Sequence, residues 1–451
     1  MSRKLDRRIW LAVVSTGLCL ATPYVHSAGY ALIENSASGM GNAFAGAAAV
    51  AEDASTIYFN PAGMSYLSKS EILIAGHLVA PESKFTDKGS IRSNGDPMEG
   101  SKTSEAGSAA LVPNFYIAHQ LDKDVTLGFG VNVPFGMTTE YDDDWVGRYH
   151  GVLSELAIVN LNPSIALKLN EKLSVGAGIN YQRADVTLAS AIDFSGACLS
   201  AGFSLADCQN NLSVKDGYAD IEGDGWGSGF NLGAILQLNK NSRIGLSFRS
   251  SVKHDLKGTA NFSVDETAQF VVDSTGLFKD ADVQADLELP ATASLSAVHE
   301  LFDSTQILFD LTWTEWSDFQ ELRIDYTNTE QPDSVTSTKW DDAYRVSVGV
   351  THEVSSRLKL RAGTAYDQTP IPDEKHRTPR IPGDDRIWFS AGVGYSIAKN
   401  LHFDAGYTYI YTSTAKTENQ FESSIDELNH TVKGEYESSI NILSAQLRWM
   451  Y

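Results

Sequence analysis

Apolar and polar residues alternate with a period of two along much of this chain. In one clear segment the apolar positions are Leu173, Val175, Ala177, Ile179 and Tyr181, and the positions between them are Ser174, Gly176, Gly178, Asn180 and Gln182. Successive side chains of a β-strand point to opposite faces, so this pattern predicts a strand with one apolar face and one small or polar face. The same alternation recurs in segments that begin near Val125, Tyr344 and Ile387.

The number of such segments and the lengths of their connections predict the architecture. Fourteen strands are expected, starting near Glu71, Ala109, Val125, Leu156, Leu173, Gly225, Ser242, Ala285, Thr305, Asp341, Arg357, Arg386, Leu401 and Ser438. Short turns alternate with long loops, which lie at about 81–108, 134–155, 189–224, 256–284, 327–339, 367–385 and 412–437. An even strand number with short turns at one end is typical of outer-membrane barrels. We therefore predict an all-β fold, a 14-stranded antiparallel transmembrane β-barrel.

The two ends of the chain agree with an exported barrel. Residues 1–27 combine a basic start, an apolar run from Ile9 to Leu20 and the small residue Ser27, which together predict a secretory signal peptide. The last strand alternates toward a terminal aromatic residue, Tyr451, as outer-membrane barrels do. We expect an interfacial aromatic girdle that includes Trp388, Tyr407, Tyr409, Tyr411 and Trp449.

Composition narrows the functional classes. The formal net charge is −22, which argues against a nucleic-acid partner bound through basic patches. Cys198 and Cys208 remain after removal of the signal peptide, and in an oxidising compartment they form a possible disulfide. No nucleophile motif accompanies the histidines, so we predict no catalytic residues and no enzyme. No metal site and no cofactor are expected either.

Residues 28–70 lie between the signal peptide and the first strand, and they do not alternate. They are rich in small residues, and Asn60, Pro61 and Ala62 predict a turn because proline fixes φ and removes a backbone donor. A barrel of this size encloses more space than its wall side chains fill. We therefore predict that 28–70 is a plug inside the lumen and that 71–451 is the barrel.

Several motifs from Ala28 to the C-terminus resemble the FadL family of outer-membrane transporters for long-chain fatty acids and other hydrophobic compounds. They are the segment "AGYALIENSASGMGNAFAGAAAVAEDASTIYFNPAG" and the shorter matches "VNVPFG", "GDGWGSGFNLGAILQL", "WTEWSDFQEL" and "YDQTPIPDEKHRTPRIPGDDR". The resemblance implies a 14-stranded barrel whose lumen is closed by an N-terminal hatch, and it places Tyr30, Asn60, Pro61 and Ala62 in that hatch.

The resemblance also implies where a ligand binds. Two long loops would form an apolar capture groove from Leu199, Phe203, Leu205, Phe262, Phe270 and Phe278. A lumen pocket would contain Trp313, Phe319 and Arg323, with Arg183 as a second basic candidate, because a guanidinium can hold a carboxylate with two hydrogen bonds. At the place of a further basic residue in the family pattern this chain has Leu188.

An interruption of the third strand is predicted at "NVPFG". Pro134 cannot donate to a strand ladder and Gly136 weakens one, so the strand should kink or end there. By resemblance, Asn132, Pro134, Phe135 and Gly136 form a lateral opening through which the ligand leaves.

These expectations combine into one function. The chain is expected in the cell outer membrane, surrounded by outer-membrane lipid, as a monomer with both termini in the periplasm. It would take up hydrophobic molecules passively, with long-chain fatty acids as the expected ligand. The alternatives are uptake of aromatic hydrocarbons or other neutral compounds, a surface receptor or adhesin that uses the acidic loops, and an outer-membrane lipase.

Overall fold

The computed structural model describes residues 29–204, 208 and 216–451. The predicted signal peptide, the predicted mature N-terminus and Leu205 lie outside these residues. Among the residues described, no helix has both the length and the apolar composition needed to cross a membrane.

Strands make up most of the described chain. Their bounds are β1 Glu71–Asp87, β2 Thr103–Glu105, β3 Ala110–Gln120, β4 Val125–Asn132, β5 Gly136–Glu140, β6 Leu153–Lys168, β7 Leu173–Ile192, β8 Gly217–Asn239, β9 Ser242–Arg249, β10 Val252–Ser263, β11 Ala281–Leu289, β12 Thr292–Phe302, β13 Thr305–Thr314, β14 Glu321–Tyr326, β15 Ser334–Ser337, β16 Ala343–Ser355, β17 Leu358–Asp367, β18 Arg386–Ala398, β19 Leu401–Thr412, β20 Ala415–Gln420 and β21 Thr431–Met450.

These segments form one closed antiparallel barrel of 14 strands, as predicted. Four wall strands are each interrupted once, giving the pairs β4 and β5, β9 and β10, β11 and β12, and β19 and β20. The short segments β2, β14 and β15 extend the sheet beyond the wall at the end with the long loops, which we call the loop end. The last strand closes the barrel on the first, from the pair Glu71–Met450 to the pair Asp87–Gly434.

The outer and inner faces of the wall have the reverse of a soluble protein's polarity. On β7, Ile179 is 61% exposed and faces outward, whereas the neighbouring Asn180 is fully buried in the interior. Exposed apolar side chains continue around the barrel, including Leu232, Val348, Phe389 and Leu443. Lipid is the solvent that favours this arrangement. Its hydrocarbon accepts apolar side chains, and pairing between neighbouring strands satisfies most of the backbone of the wall.

The expected aromatic girdle is correct in part. Tyr407, Tyr409, Tyr411 and Trp449 are exposed on the outer face. Trp388 was expected among them, but it faces the interior and is 2% exposed. It follows Ile387 on β18, and the period of two places neighbouring residues on opposite faces.

The helices are short and lie at the N-terminus and in the loops. The α-helices are α1 Ala37–Met40, α2 Ala47–Val50, α3 Thr56–Phe59, α4 Phe194–Ser200 and α5 Gln269–Thr275, and the 3₁₀ helices are Pro61–Tyr66, Glu266–Ala268, Trp316–Asp318 and Asp426–Leu428. Residues 29–70, which we call the N-terminal segment, contact inward-facing residues of strands around the whole barrel. Ala37 contacts Gln446 of β21, Ala43 contacts Arg345 of β16 and Ala48 contacts Ser296 of β12. The N-terminal segment therefore lies inside the barrel.

Wall glycines allow the N-terminal segment to approach the strands closely. A Cβ atom on Gly245 would lie 1.9 Å from the carbonyl oxygen of Ala48, and one on Gly233 would lie 1.9 Å from Oδ1 of Asn60. Any larger residue at either position would displace the segment from the wall.

Candidate functional site

Asn60 joins the N-terminal segment to the barrel wall. Its Nδ2 group donates to the carbonyl oxygens of Ala48, Ala234 and Leu246 at 2.6, 3.1 and 3.2 Å. Its Oδ1 accepts from the backbone N–H of Ala62 at 3.1 Å, which caps the helix that Pro61 begins. The predicted turn is therefore present, and it is fully buried against β8 and β9.

A second attachment uses charged groups. Glu52 accepts from Arg361 at 2.9 Å and from Lys359 at 3.0 Å, and Arg361 also donates to Asp404 at 2.8 Å. The Arg361 side chain is only 1% exposed. A buried guanidinium between two carboxylates is favourable only while all partners are present, so this network depends on the position of the N-terminal segment.

Five aromatic side chains meet near the N-terminal end of the described chain. Tyr30 lies with its ring centroid 4.9 Å from Trp316, 5.8 Å from Phe319, 5.8 Å from Trp340 and 6.0 Å from Phe135. All five are buried, and we call them the aromatic cluster. Tyr30 was predicted in the hatch and Phe319 in the lumen pocket, and the structure brings them into contact.

The third wall strand is interrupted beside this cluster. β4 ends at Asn132 and β5 begins at Gly136. Pairing between β3 and β4 stops at Phe115 and Val131, and among the strand pairs described none joins residues 110–114 of β3 to β5. The wall therefore has a break between β3 and β5, at the position where proline and glycine predicted one.

The N-terminal segment occupies the inner side of this break. The N–H of Leu32 donates to the carbonyl of Pro134 at 2.8 Å, and the N–H of Gly136 donates to the carbonyl of Tyr30 at 3.1 Å. Phe135 points inward and belongs to the aromatic cluster. Residues 30–32 therefore contact both the break and the aromatic cluster.

Two cavities lie near the aromatic cluster. The first, the loop-side cavity of about 140 Å³, has apolar walls that include Leu188, Phe262, Leu322 and Ile324. Leu322 also packs against the aromatic cluster. The second, the lumen cavity of about 130 Å³, is bounded by the N-terminal segment and the inner wall, and Trp316 lines it. A continuous series of apolar contacts thus connects the cavities through the cluster.

Arg380 contributes a positive charge to the loop-side cavity. Its Nη1 donates to the carbonyl of Leu153 at 2.9 Å and to Oγ of Ser154 at 2.8 Å, and both acceptors are neutral. Burial lowers the pKa of this guanidinium to about 10, although the neighbouring tyrosines Tyr326 and Tyr141 act to raise the pKa. Arg380 is therefore a cation at neutral pH.

Arg323, Arg183 and Trp313 do not lie in the lumen pocket where they were predicted. Arg323 is exposed on β14 and pairs with Glu321 and Asp333, while its neighbours Leu322 and Ile324 face the cavity.

Arg183 and Trp313 face outward from the barrel. Arg183 pairs with Asp185 at 2.9 Å and Asp224 at 3.3 Å on the outer face of β7. Trp313 lies opposite Tyr344 on the outer face, and its indole N–H donates to Asp342 at 2.9 Å. A resemblance does not resolve single-residue registers, and in a strand an error of one residue reverses the face.

The predicted groove residues pack mainly against one another. Phe203 lies 4.9 Å from Phe270 and Phe262 lies 6.0 Å from Phe278 between ring centroids. Phe262 and Phe278 also line the loop-side cavity, whereas Leu199 is exposed on α4. Cys198 and Cys208 form a disulfide, and both are buried among the apolar side chains of these loops.

Trp340, which belongs to the aromatic cluster, and Arg380, which lines the loop-side cavity, were not predicted from the sequence. Both lie within loop segments of irregular structure, where neither period two nor period 3.6 predicts which way a side chain points. Arg380 lies within the motif "HRTPRIPGDDR", whose dense basic and acidic residues were the available signal.

A closed barrel with an apolar outer surface, an internal segment and apolar cavities defines an integral membrane transport protein. A family model described as "Outer membrane protein transport protein (OMPP1/FadL/TodX)" matches residues 18–451. Outer membrane protein P1 of Haemophilus influenzae strain Rd is 32% identical over 422 residues, which cover 88% of this chain and 89% of that protein.

Two further comparisons agree. The long-chain fatty acid transport protein of Escherichia coli K12 is 29% identical over 432 residues, covering 91% of this chain and 95% of that one. The crystal structure of a Pseudomonas aeruginosa FadL homologue matches with a TM-score of 0.84 at 25% identity, covering 94% of this chain and all of the other. The chain belongs to the OMPP1/FadL/TodX family and is an outer-membrane transporter of hydrophobic compounds.

Proposed function

We propose that this protein takes up long-chain fatty acids passively, from the loop end through the loop-side cavity and out through the wall break between β3 and β5. The observation that carries the proposal is the position of Tyr30. Its side chain belongs to the aromatic cluster below the cavity, and its carbonyl accepts from Gly136 at the break. One displacement would therefore open the path and the exit together.

The chemistry of the route fits a long apolar ligand. Aliphatic and aromatic side chains continue from the loop-side cavity to Phe135, and each methylene group that a ligand buries against them contributes about 0.8 kcal/mol. The relative from Escherichia coli K12 bears the name long-chain fatty acid transport protein. The break faces lipid, where an alkyl chain is soluble, so release there needs no aqueous crossing.

This proposal places the loop end outside the cell and both termini in the periplasm, with the protein acting as a monomer surrounded by outer-membrane lipid. Aromatic hydrocarbons are the competing ligand class, because the aromatic cluster would contact them equally well. Residues 29–70 act as the hatch in this scheme. Attachment through Asn60 and Arg361 leaves the tip at Tyr30 as the moving part.

Healing the wall break tests the route. The change is Pro134→Val with Gly136→Val, which restores a backbone donor and two strand-forming residues. Cells that carry this variant should stop taking up oleate, whereas purified protein should bind oleate with unchanged affinity. Ile74→Val with Leu78→Val, at two lipid-facing positions of β1, is the control and should leave uptake intact.

The outcomes separate the ligand classes. Normal oleate uptake through the healed barrel would overturn lateral release. Wild-type protein that binds toluene but not oleate would replace fatty acids by aromatic hydrocarbons as the ligand.

A further inference from the structure

Arg380 is a half-buried cation that has no anionic partner among the described residues. Its two hydrogen-bond acceptors are the carbonyl of Leu153 and the hydroxyl of Ser154, both neutral. Removing a charge from water without an opposite charge is costly. A purely structural contact to neutral acceptors does not need a guanidinium, so the charge points to a ligand.

The carboxylates that line the same cavity are engaged elsewhere. Asp193 pairs with Arg92 at 2.7 Å, Asp333 pairs with Arg323 at 3.4 Å, and Glu422 accepts from Ser337 at 2.7 Å. None of them is among the groups that raise the pKa of Arg380. The protein therefore keeps its acids away from this guanidinium although the chain is strongly acidic overall.

The groups around Arg380 favour one added negative charge. Burial lowers the pKa of His150 to about 4, so this cavity-lining imidazole is neutral at pH 7 and brings no competing charge. Burial raises the pKa of Tyr326 to about 12, so its hydroxyl keeps a proton to donate. The remaining walls near Leu322 and Ile324 are aliphatic.

We propose that Arg380 binds the carboxylate of a single-headed amphiphile in the loop-side cavity, with the alkyl chain extending past Leu322 toward the aromatic cluster. A guanidinium can donate two parallel hydrogen bonds to a carboxylate, and such charged bonds are the strong ones. The inference rests on the proposed function and adds a residue that selects fatty acids over neutral hydrocarbons. This role was expected at Arg323, which is exposed on the opposite face of β14.

The test compares a charged ligand with its neutral ester. Binding of oleate and of methyl oleate is measured with the full-length protein in lipid nanodiscs, for wild type, Arg380→Met, Arg380→Lys and Arg323→Met. Oleate affinity should fall about 10- to 100-fold in Arg380→Met, as expected for loss of a hydrogen bond to a charged group. Methyl oleate affinity should stay within about twofold, Arg380→Lys should recover part of the oleate affinity, and Arg323→Met should match wild type.

Two results would overturn the inference. One is unchanged oleate affinity in Arg380→Met. The other is an equal loss for oleate and methyl oleate, which would mean that the substitution damages the cavity generally. Failure of the proposed function looks different, because wild-type protein would then bind neither ligand.

Discussion

The backbone N–H of Gly136 donates to the carbonyl oxygen of Tyr30 at 3.1 Å. Gly136 resumes the wall strand after its interruption, and Tyr30 stands at the centre of the aromatic cluster. The segment that fills the lumen therefore also covers the break in the wall. In the proposed route, a ligand that displaces Tyr30 thereby also uncovers the break in the wall through which it leaves.

Removal of the Tyr30 side chain should open the passage between the two cavities. In Tyr30→Ala, the cluster loses the ring that contacts Phe135, Trp316, Phe319 and Trp340. The expected results are higher single-channel conductance in planar bilayers and changed fluorescence of the two tryptophans. Tyr407→Ala, on the lipid-facing surface, is the control and should conduct like wild type. Equal conductance of the two variants would show that the cluster does not seal the lumen.

Asn60 should hold the N-terminal segment against the wall. Asn60→Ala removes donors to three carbonyl oxygens and an acceptor for Ala62. Unmade buried hydrogen bonds cost about 1–3 kcal/mol each, so residues 37–66 should exchange amide hydrogens faster while the barrel strands stay protected. Hydrogen exchange with mass spectrometry measures this. Asn94→Ala is the control, because Asn94 is exposed and donates a hydrogen bond to Asp96, so its removal should leave the exchange of residues 37–66 unchanged. Unaltered exchange in Asn60→Ala would contradict the role of Asn60 in holding the segment.

Arg361 should stabilise the closed arrangement of the N-terminal segment. In Arg361→Leu, the carboxylates of Glu52 and Asp404 lose their shared buried cation, a change that typically costs about 3–5 kcal/mol. The expected results are lower unfolding free energy and faster influx of small polar dyes into cells.

A surface pair provides the comparison for Arg361. Lys168→Gln removes an exposed pair with Glu171, and exposed pairs contribute about 0–1 kcal/mol. A loss of similar size in both variants would exclude a special role for the buried network.

The pH dependence of oleate binding should follow Arg380. The guanidinium is charged below its pKa of about 10 and neutral above it. The neighbouring tyrosines Tyr326 and Tyr141 stay protonated to higher pH, because burial raises the pKa of each hydroxyl. A carboxyl group with an ordinary pKa of about 4.3 is ionised above pH 6. Oleate affinity should therefore be constant from about pH 6 to 9 and fall as pH rises through about 10. Methyl oleate is the neutral control. If its affinity fell in parallel with that of oleate, the loss of oleate binding at high pH would result from unfolding and not from deprotonation of Arg380.

Much of the fold could be predicted because lipid imposes a simple rule on each strand. Ile179 must face hydrocarbon and Asn180 must face the interior, so the alternation of apolar and polar residues identifies each strand. The alternation of short turns with long loops indicates that these strands close into a barrel. The break at Pro134 was also predictable, because proline lacks a donor whatever surrounds it. The resemblance placed Tyr30 in the lumen without showing its contacts.

The positions of the charged residues near the loop-side cavity could not be predicted in the same way. Arg323 and Leu322 are adjacent in sequence, and only the register of a short loop hairpin decides which of them faces the cavity. Arg380 comes from an irregular loop between β17 and β18, so its distance to Leu153 and Ser154 depends on contacts more than 200 residues apart in the chain.

The sequence by itself thus determined the class of barrel, the strand order, the break in the third strand and the separate character of the N-terminal segment, since each depends on local backbone chemistry and a period of two. Only the tertiary structure decided that Tyr30 contacts both the aromatic cluster and the break, that Arg183 and Arg323 lie outside the two cavities, and that Arg380 lines the loop-side cavity. Those relations depend on which distant segments come into contact inside the barrel. Many weak long-range packing contacts determine this, and no single segment of the sequence specifies them.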